Sequence, residues 1–250
     1  MPNFYAGYLT EVYAGAYDWT EFFNKVDPTQ EIDLVTVAQF RKKGKRKVGL
    51  QADGSMDFEG IWDISHDAGV TDGPEEFFRR MFDQRQAVPV TVGLGGGTTV
   101  GDRCRCGQMR SAKFQTTVQT TDIHKFTLSL YPDTGAGLDS GVILLPMAAQ
   151  TVTVTGAVVD LGAASTNGAA GYLHVFAKSG TTPTLNVVVE SSSDNGVGDA
   201  WATALTFTQM TAPGSQVVEI SGAVEQYVRA KATIAGATPS FTFAVAFCPR

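Results

Sequence analysis

Residues 41–63 read RKKGKRKVGLQADGSMDFEGIWD, and the two halves of this stretch follow different rules. Arg41, Lys42, Lys43, Lys45, Arg46 and Lys47 place six cations in seven positions, interrupted by Gly44. Apolar and polar residues then alternate through Met56, Phe58, Gly60 and Trp62, the period of a half-buried strand. Asp53-Gly54 is a turn signal, so the cationic run reads as a protruding loop leading into a sheet strand. A charged arm on a β frame points to a partner surface, not to a reaction centre.

Upstream, EIDLVTVAQF (31–40) has the β-branched density of a strand. Residues 18–25 read as a short turn or helical loop, and residues 1–20 as an extended arm or first strand. Downstream, TDGPEE (71–76) sets polar residues before Pro74 and two acids at a positive helix start. The spacing of Phe77, Phe78, Met81 and Phe82 predicts a helix over about 74–86, stopped at Val88-Pro89. Such an aromatic stripe has to pack on a sheet. Strands are expected at 88–94, 103–120 and 122–131, with GLGGGTTVGD as a hairpin tip.

Around Tyr131 to Leu145 the composition shifts, and Pro146 closes an apolar run. From residue 150 onward four cationic residues face six anionic ones, and short strand patterns follow one another to Cys248. Asp194-Asn195-Gly196 and Pro213-Gly214 punctuate them. The expected fold is therefore mainly β. A sandwich or barrel over 1–147, with one covering helix, precedes a β-sandwich of about eight strands over 150–250.

The 250 residues suffice for two such cores, and 43% hydrophobic content with mean hydropathy −0.02 fits a soluble globular protein. No apolar run reaches the ~20 residues of a membrane span, and the start of the chain has no secretory pattern. The net charge of −6 argues against a protein that grips phosphates over its whole surface.

The cationic run has three readings: a nucleic-acid or heparin patch, a solvated loop without a role, and a loop that meets acids on a partner. The third is preferred, because Asp53, Asp57, Glu59 and Asp63 lie nearby and on one copy could receive the run of the next. Cys104 and Cys106 share a strand face, but no second C-x-C or H-x3-H pair accompanies them. With Cys248 they read as reduced, incidental thiols, and no metal or cofactor is expected. His66, His124 and His174 are scattered, and no nucleophile, base and orienter group together, so no enzyme is expected. Asp194, Asn195 and Asp199 lack the spacing of a calcium loop. Trp201 and Tyr172 are read as core, and Arg229 as satisfying carbonyls near a sandwich rim.

The strand at 35–37, the basic loop, DGSMDFEGIWD (53–63), a lone helix, VPVTV and GVIL (141–144) occur in that order. Over roughly residues 1–147 this resembles the major tail (tail tube) proteins of long-tailed bacteriophages. AAGYLHVFA (169–177), LNVVVESSSDNGVGDAWATALTF (185–207) and AVEQYVRAKATIAG (223–236) resemble the Ig-like or jelly-roll domains appended to such subunits. The resemblance implies a virion structural protein assembled in the host bacterial cytoplasm. Its hexameric rings would stack through the 41–47 loop, and its lumen would pass DNA. The implied partners are further copies of itself and other tail proteins (tape measure, tail terminator, distal tail), with no membrane. The alternative is a module binding host-surface glycans.

Overall fold

The computed structural model describes residues 10–38, 45–61, 77, 81–83, 85–117, 124–133 and 137–250. These are almost entirely strand: β1 (Val12–Ala14), β2 (Tyr17–Asp18), β3 (Phe23–Ala38), β4 (Lys45–Ile61), β5 (Val88–Gly93), β6 (Arg103–Thr117) and β7 (Lys125–Pro132) in the first half. In the second half come β8 (Asp139–Gln150), β9 (Val154–Thr155), β10 (Val159–Asp160), β11 (Ala169–Ser192), β12 (Ala202–Thr206), β13 (Gly214–Ile220) and β14 (Tyr227–Pro249). The mainly β class agrees with the sequence reading.

Two compact units emerge, and neither boundary lies where the composition shift placed it. One comprises Met1–Glu21, Val88–Cys106 and Asp139–Arg250; the other comprises Phe22–Ala87 and Gly107–Leu138. The junction expected between residues 147 and 150 falls inside β8, whose last residues still pair with β14 (Thr242↔Ala149, Phe241↔Gln150). A strand continues while its ladder partner does, whatever happens to the charge density beside it.

The smaller unit is an antiparallel sheet in which β3 pairs β4, β4 pairs β7 and β7 pairs the later part of β6. Gly54, Met56, Phe58 and Gly60 are buried, while Asp53, Asp57, Glu59 and Ile61 are exposed, as a two-residue period requires. On the inner face Phe23 packs at 4.7 Å on Phe58 and 5.7 Å on Phe126. Asp53-Gly54 is not a turn: both residues lie mid-strand, opposite Glu31 and Gln30. A Cβ at position 54 would stand 3.0 Å from the Leu138 side chain, so glycine serves close approach there. Phe77 and residues 81–83 are helical, with Phe77 and Met81 buried and Phe82 exposed; Arg85 lies in a turn. Of the predicted 74–86 helix, Arg85 and Gln86 are therefore not helical, and residues 74–76, 78–80 and 84 lie outside the described residues.

The larger unit runs β12, β11, β14, β8, the start of β6, β5, β1 and β2 in sheet order. Patterns that read as separate strands are joined: β11 and β14 pair along their lengths, with register shifts between Ser179 and Thr184. Positive φ at Gly180, Thr182, Gly236 and Thr238 accommodates that bend. Side chains sort by parity. Leu173, Val175, Phe243, Val245, Phe247, Val142 and Leu144 enter one core, while Ala170, Tyr172, Ala246, Cys248, Ile143, Cys104 and Cys106 form a second cluster. The sheet curls over this second cluster, since Thr91 on β5 hydrogen-bonds His174 on β11 at 2.9 Å.

Candidate functional site

Two groups of residues merit attention, one in each unit. The first grows from the β3–β4 pairing. Register sets Lys25 opposite Glu59, Asp27 opposite Asp57, Thr29 opposite Ser55, and Glu31 opposite Asp53. Partners in register share a face, so exposed acids meet acids twice across one ladder. Lys25 partly neutralises one end, at 2.8 Å from Asp27 and 3.5 Å from Glu59. Ser129 donates to Asp57 at 2.5 Å. Thr29, Glu31, Asp53, Gly54 and Ser55 line a polar groove of about 170 Å³. Among the acids named from sequence, Asp53, Asp57 and Glu59 lie on this ridge, and Asp63 lies outside the described residues. Asp27 and Glu31 were missed, because only the register reveals that they stand opposite the others.

The cationic run lies elsewhere on the same ribbon. Lys45, Arg46 and Lys47 are not loop; they belong to β4 and pair with Ala38, Val37 and Thr36. Arg41, Lys42 and Lys43 lie outside the described residues. β4 pairs β7 from Met56 to Ile61, and its residues before Met56 pair with β3 alone among the described strands. At about 3.3 Å per residue, Lys47 stands roughly 20 Å from Asp53 and roughly 33 Å from Asp57. An extended strand cannot fold back on itself, so Lys47 cannot reach these acids in the same copy.

The second group is buried in the larger unit. Cys104 and Cys106 lie two apart on β6, and Cys248 comes from β14, two strands away. The strand between them, β8, places Gly141 beside Cys104 and, one step on from the Val142–Phe247 pair, beside Cys248. A Cβ at Gly141 would meet the Cys248 Sγ at 2.5 Å, so this glycine lets sulfurs from non-adjacent strands meet. The Cys106 and Cys104 sulfurs are 3.6 Å apart, and all three lie within 4.8 Å of one another. Thiols read as incidental therefore form a cluster. The glycine inside the apolar strand GVILL was the available signal.

Next to the cluster, the His174 Nδ1 lies 2.8 Å from the Gly15 carbonyl, which can only accept. Nδ1 thus carries the proton and Nε2 accepts from the Thr91 hydroxyl, whose oxygen also lies 3.5 Å from the Cys106 sulfur. Burial lowers the His174 pKa to about 4, against the raising effect of the Gly15 bond. S–H donation from Cys106 and Cys248 holds the Cys104 thiol below its ordinary range, and burial pushes those two donors up. Thiol, hydroxyl and imidazole stand in a row, but Thr91, Cys106 and His174 are 0–1% exposed, which denies them a substrate.

The remaining candidates resolve locally. Tyr172 is core, and its hydroxyl donates to Asp139 at 2.6 Å; Arg250 clamps the same carboxylate with two bonds of 2.9 Å. Arg229 does not satisfy carbonyls: it binds Glu190 at 2.7 Å and lies 4.1 Å over the Trp201 ring. Trp201 is half-buried under that guanidinium rather than core. The Asp194 carboxylate accepts from the backbone of Val197, Gly198 and Asp199, so its own turn consumes it.

No protein-family model matches the chain, and no curated protein matches it in sequence. Solved structures similar in outline include the tail of an empty gene transfer agent particle, at 10% identity and TM-score 0.41, covering 53% of this chain and 96% of that one. The SPP1 tail tube matches at 7% identity and TM-score 0.42, over 54% of this chain and 78% of that one. The SPP1 Dit protein, described as a hub adsorption apparatus of phages infecting Gram-positive bacteria, matches at 13% identity and TM-score 0.34, over 95% and 98%.

Proposed function

We propose that this protein is a virion structural protein, a tail tube subunit that forms hexameric rings stacked by cation-to-acid contacts between copies. The observation that supports this reading is the separation of opposite charges along the β3–β4 ribbon. Lys45, Arg46 and Lys47 lie at one end, and the Asp27/Asp57 and Glu31/Asp53 pairs at the other. Each group repels itself, Lys47 cannot reach the acids within a copy, and a second copy satisfies both. Pairs that lose water at such a contact are worth more than the ~0–1 kcal/mol of exposed ones. A chain of net charge −6 suits a lumen through which DNA passes without adhering. Other tail proteins would cap the tube, and the site of action is the virion.

The test is a charge swap. Lys42, Lys43, Lys45 and Arg46 changed to Glu should abolish tubes in sedimentation and negative-stain microscopy, with the subunit still folded. A second protein carrying Asp53→Lys and Asp57→Lys should also fail alone, and mixing the two should restore co-assembly. Tubes of normal length from the first variant would overturn the reading.

A further inference from the structure

The buried sulfur cluster has no part in ring stacking, and its geometry is that of a ligand set. We propose that Cys104, Cys106 and Cys248 form a three-sulfur site for a soft monovalent metal ion, copper(I).

Three observations converge. Gly141 clears the path by which Cys248 reaches the β6 sulfurs across the intervening strand. The sulfurs already stand 3.6 Å apart for one pair and within 4.8 Å for all. Metal–sulfur bonds of about 2.3 Å would set trigonal sulfurs about 4.0 Å apart, so small side-chain rotations suffice. Finally, the chemistry around the cluster is wrong for a fourth ligand. Thr91 is committed to His174, and His174 to Gly15, so no imidazole faces the sulfurs. The three cysteines are 0–2% exposed, which leaves no route for a coordinating water. Zinc(II) in a structural site demands four ligands, whereas soft thiolates without a hard partner favour copper(I).

Binding balances as proton exchange: each copper–sulfur bond that forms releases the proton of that thiol, with no change in oxidation state. Because the site is closed in the folded unit, the ion enters as the strands assemble, and it ties β6 to β14.

The experiment refolds the full chain anaerobically with copper(I) supplied from its bathocuproine disulfonate complex. The expected result is one copper per chain withdrawn from the competitor, a sulfur-only shell of three neighbours by X-ray absorption, and a raised Tm. Cys248→Ser should lose at least ten-fold in copper affinity; circular dichroism shows whether it folds, and the absorption spectrum of the unaltered protein does not depend on that variant. Failure to withdraw copper, nitrogen or oxygen in the metal shell, preferential tetrahedral zinc, or undiminished copper in a folded Cys248→Ser protein would each overturn the assignment.

Discussion

Glu31→Lys separates the two consequences of the acid ridge. Glu31 lies opposite Asp53 in the β3–β4 register, and both are exposed. Like charges across a ladder destabilise, and opposite ones stabilise, each by about 0.2–1 kcal/mol. The substitution removes one repulsive pair and creates an attractive one, so the subunit should gain about 1 kcal/mol. A gain of that size raises Tm by roughly 2–4 °C for a chain of this length. Screening shortens the Debye length to ~3 Å at 1 M salt, so the gain should vanish there and grow as salt is lowered. Under the proposed stacking assembly should move the other way, since a cation would then stand where the ridge is to receive cations from the next copy. The assays are thermal melts at low and high salt, and sedimentation of assembled tubes. A variant that melts like the parent at low salt would show that the acids do not repel. One that melts higher and still forms full tubes would refute the ridge as a contact surface.

Three other expectations follow from burial and pairing. Burial, with help from Asp18 and Asp102, raises the Glu11 pKa from 4.5 to about 7, and one of its oxygens has no hydrogen-bond partner. A folded pKa above the unfolded one means that stability falls as pH climbs through this window. For a half-buried group screened by solvent, Glu11→Gln should gain about 1 kcal/mol at pH 8 and nothing at pH 4; parallel stability curves would contradict this. His174 has its pKa depressed to about 4, so the unfolded chain takes up a proton between pH 6.5 and 4 that the folded chain refuses. Nitrogen NMR should show a neutral, Nδ1-protonated ring at pH 5, and an imidazole titrating near 6.5 would contradict the burial. Truncation after Gln150 removes the β14 partner of β8 and uncovers Val142 and Leu144, so the fragment should not unfold cooperatively. A folded, ring-forming fragment would restore the division near residue 147.

The alternation of Met56, Phe58 and Gly60 was legible because burial on one face imposes a two-residue period whatever the partner strand. Asp53-Gly54 misled because a glycine written for close packing against Leu138 looks, in one dimension, like a glycine written for a turn. The same ambiguity split β11 at Gly180 to Pro183, where a bend carries the ladder through and does not end it. Three of the five acids of the ridge could be named from sequence, since Asp53, Asp57 and Glu59 follow the cations in the chain. Asp27 and Glu31 could not, because register is a property of the pair of strands. The sulfur cluster was harder to read: Cys248 meets Cys104 across an intervening strand, and Gly141, the one local trace of that approach, does not say which side chains it admits.

The two groups are held under opposite constraints, and that difference says what each is for. The sulfurs are fixed by packing, so removing one disturbs a core in every copy, assembled or not. The charges on the ribbon have no such support: acids face acids at its base, cations crowd its far end, and each arrangement costs stability in the isolated subunit. A fold selected for monomer stability alone would place Lys opposite Asp53, as Lys25 already stands opposite Glu59. Retaining Glu31 there is explicable if the repulsion is relieved in a larger assembly. Under the proposed stacking both ends of the ribbon would be relieved by the same contact, so the first such contact would remove two penalties together. Ring-to-ring pairing should accordingly be steeper in salt than a single exposed ion pair would be.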